Sequence, residues 1–299
     1  MALSKLNDDE AGIIYSQLRN VLDPGVAVAL SSASRGLRVL ALALLQQLRD
    51  EHEAAAELCH KSRLRSCKAL REMKVAVWWD DGITATDLAT LGTLGSVLPA
   101  LETLVLIEHS STAGPDGVQR LAAGLGARAL PSVTWLTIGM YAGDAGASAL
   151  ADALGRGALP RLKTLDLFRT AIGDAGLLAL APALRRMPTL ELLAFDGNLL
   201  SDEGLAALVA PPAAAGAPPP TTGGLAKLTK LSLDQTQITD AGCAALAAAL
   251  ESGALPALKT LYLSYIPASA AAVASVYAAR ETLDEESGSE SEADEVEAA

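Results

Sequence analysis

The chain has 299 residues, of which 51% are apolar and only 3% aromatic, so leucine and alanine must fill its core. Its net charge is −12, but nine carboxylates and no Lys or Arg lie in residues 281–299, which leaves −3 for the rest. A nearly neutral chain without a basic field is a poor candidate for nucleic-acid binding, because contacts to phosphates need Lys and Arg.

Compartment signals are few. The three cysteines (Cys59, Cys67 and Cys243) are odd in number and match no disulfide framework, which favours a reducing compartment. The N-terminal MALSKLNDDE has acids where a signal peptide is basic and then apolar. The longest apolar stretch, around residues 37–48, is short and is interrupted by Arg38 and two glutamines. We expect a cytoplasmic or nuclear protein that does not contact membranes.

Residues 1–69 form the first unit and are predicted to be helical, with helices around 8–19, 24–34, 36–49 and 51–70. Within them, a leucine, two acids, two apolar patches and a basic end follow one another at Leu6, Asp9, Glu10, Ile13, Ile14, Leu18, Leu22, Val26, Val28, Leu30, Ser34 and Arg35. This order resembles the F-box, although Asn7 stands where that family usually has proline and Gly36-Leu37 where it often has an aromatic residue.

The F-box resemblance implies a docking segment for a Skp-type adaptor, which would join the chain to a cullin-type ubiquitin ligase. The residues expected to bind the adaptor are Leu6, Ile13, Ile14, Leu18 and Leu22. The alternative is that the segment is a plain helical cap for the repeats that follow, since terminal repeats need capping.

Residues 70–280 contain an internal repeat of about seven units. Six segments share an L-x-x-L-x-L frame and a seventh, LREMKVAVW from Leu70, fits it loosely; the six are LPALETLVL, LPSVTWLTI, LPRLKTLDL, MPTLELLAF, LAKLTKLSL and LPALKTLYL. Most frames are followed by Asp-x-Gly or a variant and then by leucines at helical spacing. We interpret the Asp as a helix N-cap, at Asp116, Asp144, Asp174, Asp202 and Asp240. Each unit is therefore a short strand and a helix, and stacked units form a solenoid.

This unit resembles the ribonuclease-inhibitor type of leucine-rich repeat, which implies parallel strands on the concave side and helices on the convex side. The predicted fold class is thus an α/β leucine-rich-repeat solenoid with an N-terminal helical segment. One departure lies in the turn after the strand, where only Asn198 keeps the family's Asn or Cys, while Thr170 and Thr236 replace it elsewhere. The Pro/Ala/Gly-rich residues 211–224 predict an irregular loop, most simply a tolerated surface insertion.

Strand alternation predicts which side chains face the concave side, since the frame leucines must face the core. The three predicted rows begin at Val75, Val77 and Trp79. Their apolar members in the N-terminal half are Val75, Val77, Trp79, Val105, Ile107 and Trp135, and we expect these to bind a protein partner together with Asp166, Phe168, Asp196, Asp234 and Tyr262. The alternatives are that the N-terminal segment folds over Trp79, and that the aspartates are an ordinary solvated stripe.

The remaining features point away from catalysis. The acidic residues 281–299 have the composition of a disordered tail. His52, His60 and His109 have no nucleophile arranged around them, and Cys59, His60 and Cys67 fall short of a four-ligand zinc set. No phosphate-binding or dinucleotide motif occurs, so we expect no cofactor and no metal. A protein-binding module is the leading hypothesis; a free-standing scaffold, or a Ran-type GTPase-activating protein on architectural likeness alone, are the alternatives.

Overall fold

A computed structural model describes residues 21, 23–32, 35–61, 64, 66–110, 112–209, 225–280 and 283. The predicted adaptor-binding residues Leu6, Ile13, Ile14, Leu18 and Leu22 lie outside these ranges, as do the loop at 211–224 and, except for Leu283, the acidic tail.

The described chain opens with three helices and then alternates strands with helices. The helices are α1 Gly25–Ser32, α2 Arg35–Lys61, α3 Cys67–Glu72, α4 Ala85–Leu94, α5 Gly117–Gly124, α6 Gly143–Gly155, α7 Asp174–Leu184, α8 Asp202–Val209, α9 Asp240–Glu251 and α10 Ala270–Ala278. The strands are β1 Val75–Trp79, β2 Thr103–Ile107, β3 Trp135–Gly139, β4 Thr164–Asp166, β5 Leu192–Ala194, β6 Lys230–Ser232 and β7 Thr260–Tyr262. The expected helices at 36–49 and 51–70 are instead the single helix α2 and the short α3.

The seven strands form one parallel sheet in chain order, from β1 at one edge to β7 at the other. Each strand pairs with the next at the equivalent repeat position, so that Val75 lies beside Thr103 and Thr103 beside Trp135. Parallel neighbours in chain order require a crossover in every connection, and the intervening helix supplies it. The loose frame at Leu70 is therefore a true repeat, because its strand β1 is in the same register.

The core lies between the sheet and the row of helices. In the frame that begins at Leu98, the leucines at 98, 101, 104 and 106 are all at most 2% exposed. Burying each leucine contributes about 1.5–3 kcal/mol relative to leaving it in water. A single unit cannot cover its own leucines, and stacking the units makes one continuous core. The structure is an α/β leucine-rich-repeat solenoid, as the sequence predicts.

The repeated Asp-x-Gly has a different role from the one we predicted. Asp174 is the first residue of α7, and its Oδ1 accepts hydrogen bonds from the backbone N–H groups of Ser201 (2.7 Å) and Gly204 (3.0 Å) in the next repeat. The aspartate thus caps its neighbour's helix rather than its own, because stacking brings the next helix N-terminus within reach. A Cβ on Gly204 would lie 2.5 Å from that same oxygen, so the glycine makes room for the carboxylate.

The same contact recurs along the solenoid and defines an aspartate ladder of four rungs, from Asp144 to Gly173, Asp174 to Ser201, Asp202 to Thr239 and Asp240 to Ser269. Asp116 is not a rung. It occupies the N-cap position of α5 without capping it, and its carboxylate binds Arg120 Nε at 2.6 Å.

The turn after the strand is built around buried Asn198. Its Oδ1 accepts from Thr170 N, Thr170 Oγ1 and Ile172 N, and its Nδ2 donates to the carbonyl oxygens of Leu167 and Phe195. The Thr236 hydroxyl, by contrast, donates to the Leu233 carbonyl alone. The amide therefore joins two repeats at this turn, whereas the hydroxyl of Thr236 bonds only within its own.

The N-terminal segment contacts the first repeat through the second half of α2. Leu58 is buried there, and Lys61 Nζ lies 2.5 Å from Asp87 Oδ2 on α4. Burial acts to raise the pKa of Asp87, but hydrogen bonds from Lys61 and Thr84 outweigh it and lower that pKa below its usual value. An ion pair and buried apolar contacts thus attach α2 to the first repeat.

Candidate functional site

The side of the sheet turned away from the helices is called here the concave face. The strand register places the predicted rows side by side, with Val77 next to Val105 and Val105 next to Thr137. Main-chain hydrogen bonds continue the third row beyond the strands, from Arg169 N to Asp196 O and from Gly197 N to Asp234 O. The predicted rows are therefore confirmed as rows, although not all of their members are exposed.

The N-terminal edge of the concave face is apolar and accessible. Val75, Val77 and Trp79 on β1 are 50%, 41% and 42% exposed. With 42% of Trp79 exposed, the described part of the N-terminal segment does not bury it; residues 1–20, on which the alternative of a segment folded over Trp79 also depends, lie outside the described ranges. Further along, Trp135 and Phe168 are half-buried. These five residues, Val75, Val77, Trp79, Trp135 and Phe168, are called the apolar patch.

Val105 and Ile107 are buried, at 4% and 1% exposure, although we predicted both to be exposed. They face the concave side, but strands only about 4.8 Å apart let the adjacent rows cover them. Val105 is enclosed between Val77 and Thr137, and Ile107 between Trp79 and Gly139. They form the floor of the apolar patch rather than its contact surface.

Phe168 reaches over the backbone of β3 because residue 139 is glycine. A Cβ at Gly139 would lie 2.4 Å from Phe168 Cζ and 3.2 Å from Ile107 Cγ1. The phenyl ring therefore fills the space that a side chain at 139 would take, and it extends the apolar patch towards Ile107. Alternation alone does not predict this contact; a glycine between an isoleucine and a phenylalanine in one row is the sequence signal for it.

Trp135 is held in place by its indole nitrogen. Nε1 donates to Thr137 Oγ1 at 2.9 Å, and Thr137 is itself buried. A tryptophan with its polar edge satisfied within the protein presents an apolar ring to a partner at little cost in desolvation. The role of Thr137 was not apparent from the sequence.

The C-terminal half of the concave face is not the solvated acidic stripe that we considered. Ser232 Oγ and Asp234 N donate to Asp196 Oδ1 at 2.5 and 2.8 Å, and Ser264 N donates to Asp234 Oδ1 at 2.5 Å. Asp234 is buried and Asp196 half-buried. These aspartates connect consecutive repeats, since each accepts from the strand end that follows it.

The environment of these two carboxyls opposes their charge. Burial raises the pKa of Asp196, against the lowering effects of Ser232, the Asp234 amide and the charge of Lys230. Burial also raises the pKa of Asp234, and the nearby Asp196 charge adds to that. Asp166 is half-buried and accepts from Phe168 N at 3.2 Å.

Tyr262 is also a correction, because it is 8% exposed and we predicted it to be accessible. The ammonium of Lys230 lies 5.1 Å from the centre of its ring, within the range of a cation–π contact. The C-terminal half of the concave face is therefore largely satisfied by its own contacts.

A hydrogen-bonded polar pair that we did not predict borders the apolar patch. His109 N and Nδ1 lie 2.8 and 3.2 Å from Asp80 Oδ1, and Nδ1 lies 3.0 Å from Oδ2. Hydrogen bonds from the His109 backbone and then its side chain lower the pKa of Asp80. Asp80 directly follows Trp79 in the sequence, so reading one residue past the end of β1 would have revealed the acidic member of this polar rim.

The described residues contain no group of three or more His, Cys, Asp or Glu side chains able to hold a metal ion. No helix within the described ranges is long and apolar enough to cross a membrane.

Among the comparisons with known proteins, the family match agrees with the repeat architecture. A family described as Leucine Rich repeat matches residues 159–181 and 224–247. A solved structure, internalin C2 from Listeria monocytogenes str. 4b F2365, is 18% identical with a TM-score of 0.40, covering 75% of this chain and 78% of that one. No curated protein matches in sequence. The family match supports a protein-interaction module in general; the internalin similarity, at that score, says nothing about partners.

Proposed function

We propose that this chain is a non-enzymatic protein-binding module and that the apolar patch is its contact surface. One observation carries the proposal: Val75, Val77 and Trp79 are exposed side by side on the edge strand of an otherwise well-packed sheet. Contiguous apolar surface of this kind usually marks a binding site, and tryptophan is a frequent hot-spot residue.

Rigidity adds to the argument. The patch rests on the buried floor of Val105 and Ile107, and the hydrogen bond to Thr137 fixes the indole of Trp135. Side chains that are already ordered lose little conformational entropy on binding, so more of the contact energy appears as affinity.

The test is co-purification of partners from a lysate, followed by a direct binding measurement, with the wild type, one double variant on the apolar patch and one single control variant. Val77→Asp combined with Trp79→Asp places charges on the apolar patch. Leu178→Asp places one on α7, on the opposite side, where Leu178 is 45% exposed. We expect a partner to lose at least about 30-fold in affinity with the double variant and to be unaffected by Leu178→Asp.

Equal binding by the double variant and the wild type, with both folded, would exclude the apolar patch as the contact surface. Loss of binding with Leu178→Asp alone would place the contact on the helical side.

The role of a substrate-recruiting F-box-like subunit in a cullin-type ubiquitin ligase is the more specific proposal. It is supported by the F-box resemblance and by helix α1, where Val26, one of the matching positions, is 56% exposed. An exposed valine on a helix can contact an adaptor.

Mixing the protein with a Skp-type adaptor and measuring complex mass by size exclusion with light scattering tests this role. A one-to-one complex that is lost with Ile14→Asp, and weakened with Val26→Asp, is expected. No complex with folded protein would contradict it and leave a free-standing repeat scaffold, without affecting the apolar-patch test.

A further inference from the structure

The junction between the N-terminal helices and the first repeat holds two cysteines in contact. Cys59 lies in the last turn of α2, and Cys67 is the first residue of α3. Their sulfur atoms are 3.8 Å apart, and the Cys59 thiol donates to the Cys67 sulfur. Both are free thiols in this structure.

The surrounding contacts hold the pair together. Leu64 N donates to the Cys59 carbonyl at 2.9 Å, so the chain turns back between the two helices, and Leu64 packs against the core. Two residues after Cys59, Lys61 is bound to Asp87 of the first repeat. The sulfur contact therefore lies beside a turn that is held by a main-chain hydrogen bond and by an ion pair to the first repeat.

The two sulfurs differ in access. Cys59 is 3% exposed, and burial followed by the nearby Cys67 raises the pKa of its thiol to about 12. Cys67 is only half-buried and lines a surface cavity of about 670 Å³ together with His52, Lys68 and Arg71. A small oxidant entering this cavity meets Cys67 and not Cys59.

We propose that Cys59 and Cys67 form a reversible disulfide when the protein meets hydrogen peroxide. The Cys67 thiol loses its proton and its sulfur attacks one peroxide oxygen; the O–O bond breaks, the departing hydroxide takes up that proton to become one water, and a sulfenic acid remains on Cys67. The Cys59 sulfur then attacks the Cys67 sulfur, its proton leaves with the hydroxyl group as a second water, and the S–S bond forms. Two thiols are oxidised by two electrons and one hydrogen peroxide is reduced to two waters.

Forming the disulfide needs only a small movement of the two sulfur atoms. A disulfide places its sulfurs about 2 Å apart, so the two atoms must approach by roughly 2 Å, which rotation of the two cysteine side chains can supply. The bond would fix the end of α2 to the start of α3, at the point where the N-terminal segment meets the repeats. A dithiol reductant reverses it.

Thiol counting on the full-length protein tests the proposal. The folded chain is treated with an equivalent of hydrogen peroxide, blocked with N-ethylmaleimide, denatured and analysed by intact mass and peptide mapping. We expect the number of free thiols to fall from three to one, with a peptide joining Cys59 to Cys67 and Cys243 unmodified. Dithiothreitol should restore all three.

Two variants make the result decisive. Cys243→Ser should fall from two free thiols to none, while Cys67→Ser should keep both of its thiols under the same treatment. Three free thiols after peroxide, oxidation of Cys67 to a sulfinic acid with Cys59 still free, or a bridge between two chains would each overturn the proposal. A bridge that forms only in denatured protein would do so too.

Discussion

The carboxylate of Asp174 accepts a hydrogen bond from the backbone N–H of Gly204, 3.0 Å away and one full repeat further along the chain. The aspartate and the glycine of the Asp-x-Gly pattern therefore serve different partners. The aspartate binds the helix that follows, and the glycine receives the carboxylate of the helix that precedes. A pattern that looks local in the sequence is an inter-repeat contact.

Asp174→Ala should destabilise the protein by about 1–2 kcal/mol, because the first turn of α8 loses its cap. Thermal or urea unfolding measures this. Asp116→Ala is the matched control, since Asp116 binds only Arg120 on its own helix, and its transition should not move. Equal effects of the two substitutions would show that the ladder contacts carry no stability of their own.

Asn198→Ala should lower the free energy of unfolding by more, about 2–4 kcal/mol, because it leaves several buried N–H and C=O groups without partners. Asn198→Thr should cost clearly less, since a threonine hydroxyl already serves the equivalent turn at Thr236. Equilibrium unfolding of both variants provides the comparison. If threonine proves as damaging as alanine, the turn depends on the amide contact between repeats and the hydroxyl contributes nothing.

Gly139→Ala should destabilise the protein by about 1 kcal/mol, because the new methyl group displaces the Phe168 ring. Gly155→Ala is the control: nothing lies within 4 Å of its Cβ position, and alanine is the better helix former. We therefore expect thermal unfolding midpoints to fall for the first variant and to stay or rise for the second. If the unfolding midpoint of Gly155→Ala instead fell below that of Gly139→Ala, Phe168 would not lie over β3 in solution.

The pH dependence of an Asp196→Asn variant follows from the raised pKa of Asp196. A carboxyl whose pKa is higher in the folded state binds its proton more tightly there, so its stabilising effect is present below the unfolded pKa and is lost as pH rises through the folded pKa. Asparagine keeps an oxygen to accept from Ser232 and Asp234.

The Asn variant should therefore gain stability relative to wild type as pH rises from about 4, the usual pKa of an aspartate, through the raised pKa of Asp196, above which the difference should level off. Urea unfolding at several pH values measures that difference. Carboxyls that do not interact with Asp196 cancel from it, whereas Asp234, whose pKa the Asp196 charge raises, adds to it in the same direction. A difference that shrinks as pH rises would mean that Asp196 is stabilised as a carboxylate.

The sequence predicts the strands, their register and the concave rows because the L-x-x-L-x-L frame recurs in successive units of unequal length and each copy of the frame makes the same contact. It does not predict exposure, since whether Val105 is buried depends on Val77 and Thr137 in adjacent strands. Helix α2 runs past the expected break near residue 50 because Asp50 and Glu51 are compatible with a helix; Gln46 and Gln47 bond to them one turn on. The apolar patch follows from alternation, whereas the Phe168–Gly139 contact required the structure.

The aspartate ladder also bears on how such a chain can change in length. Each rung needs an aspartate from one unit and free helix N–H groups from the next, so a duplicated unit brings both halves of a new rung with it. If one whole unit is lost, the aspartate of the unit before it meets the helix N-terminus of the unit after it, and a rung forms there. The position equivalent to Asp240 in the final unit is Ala270, which offers no carboxylate to a further helix. Units can thus be gained or lost within the array, while the last one ends it.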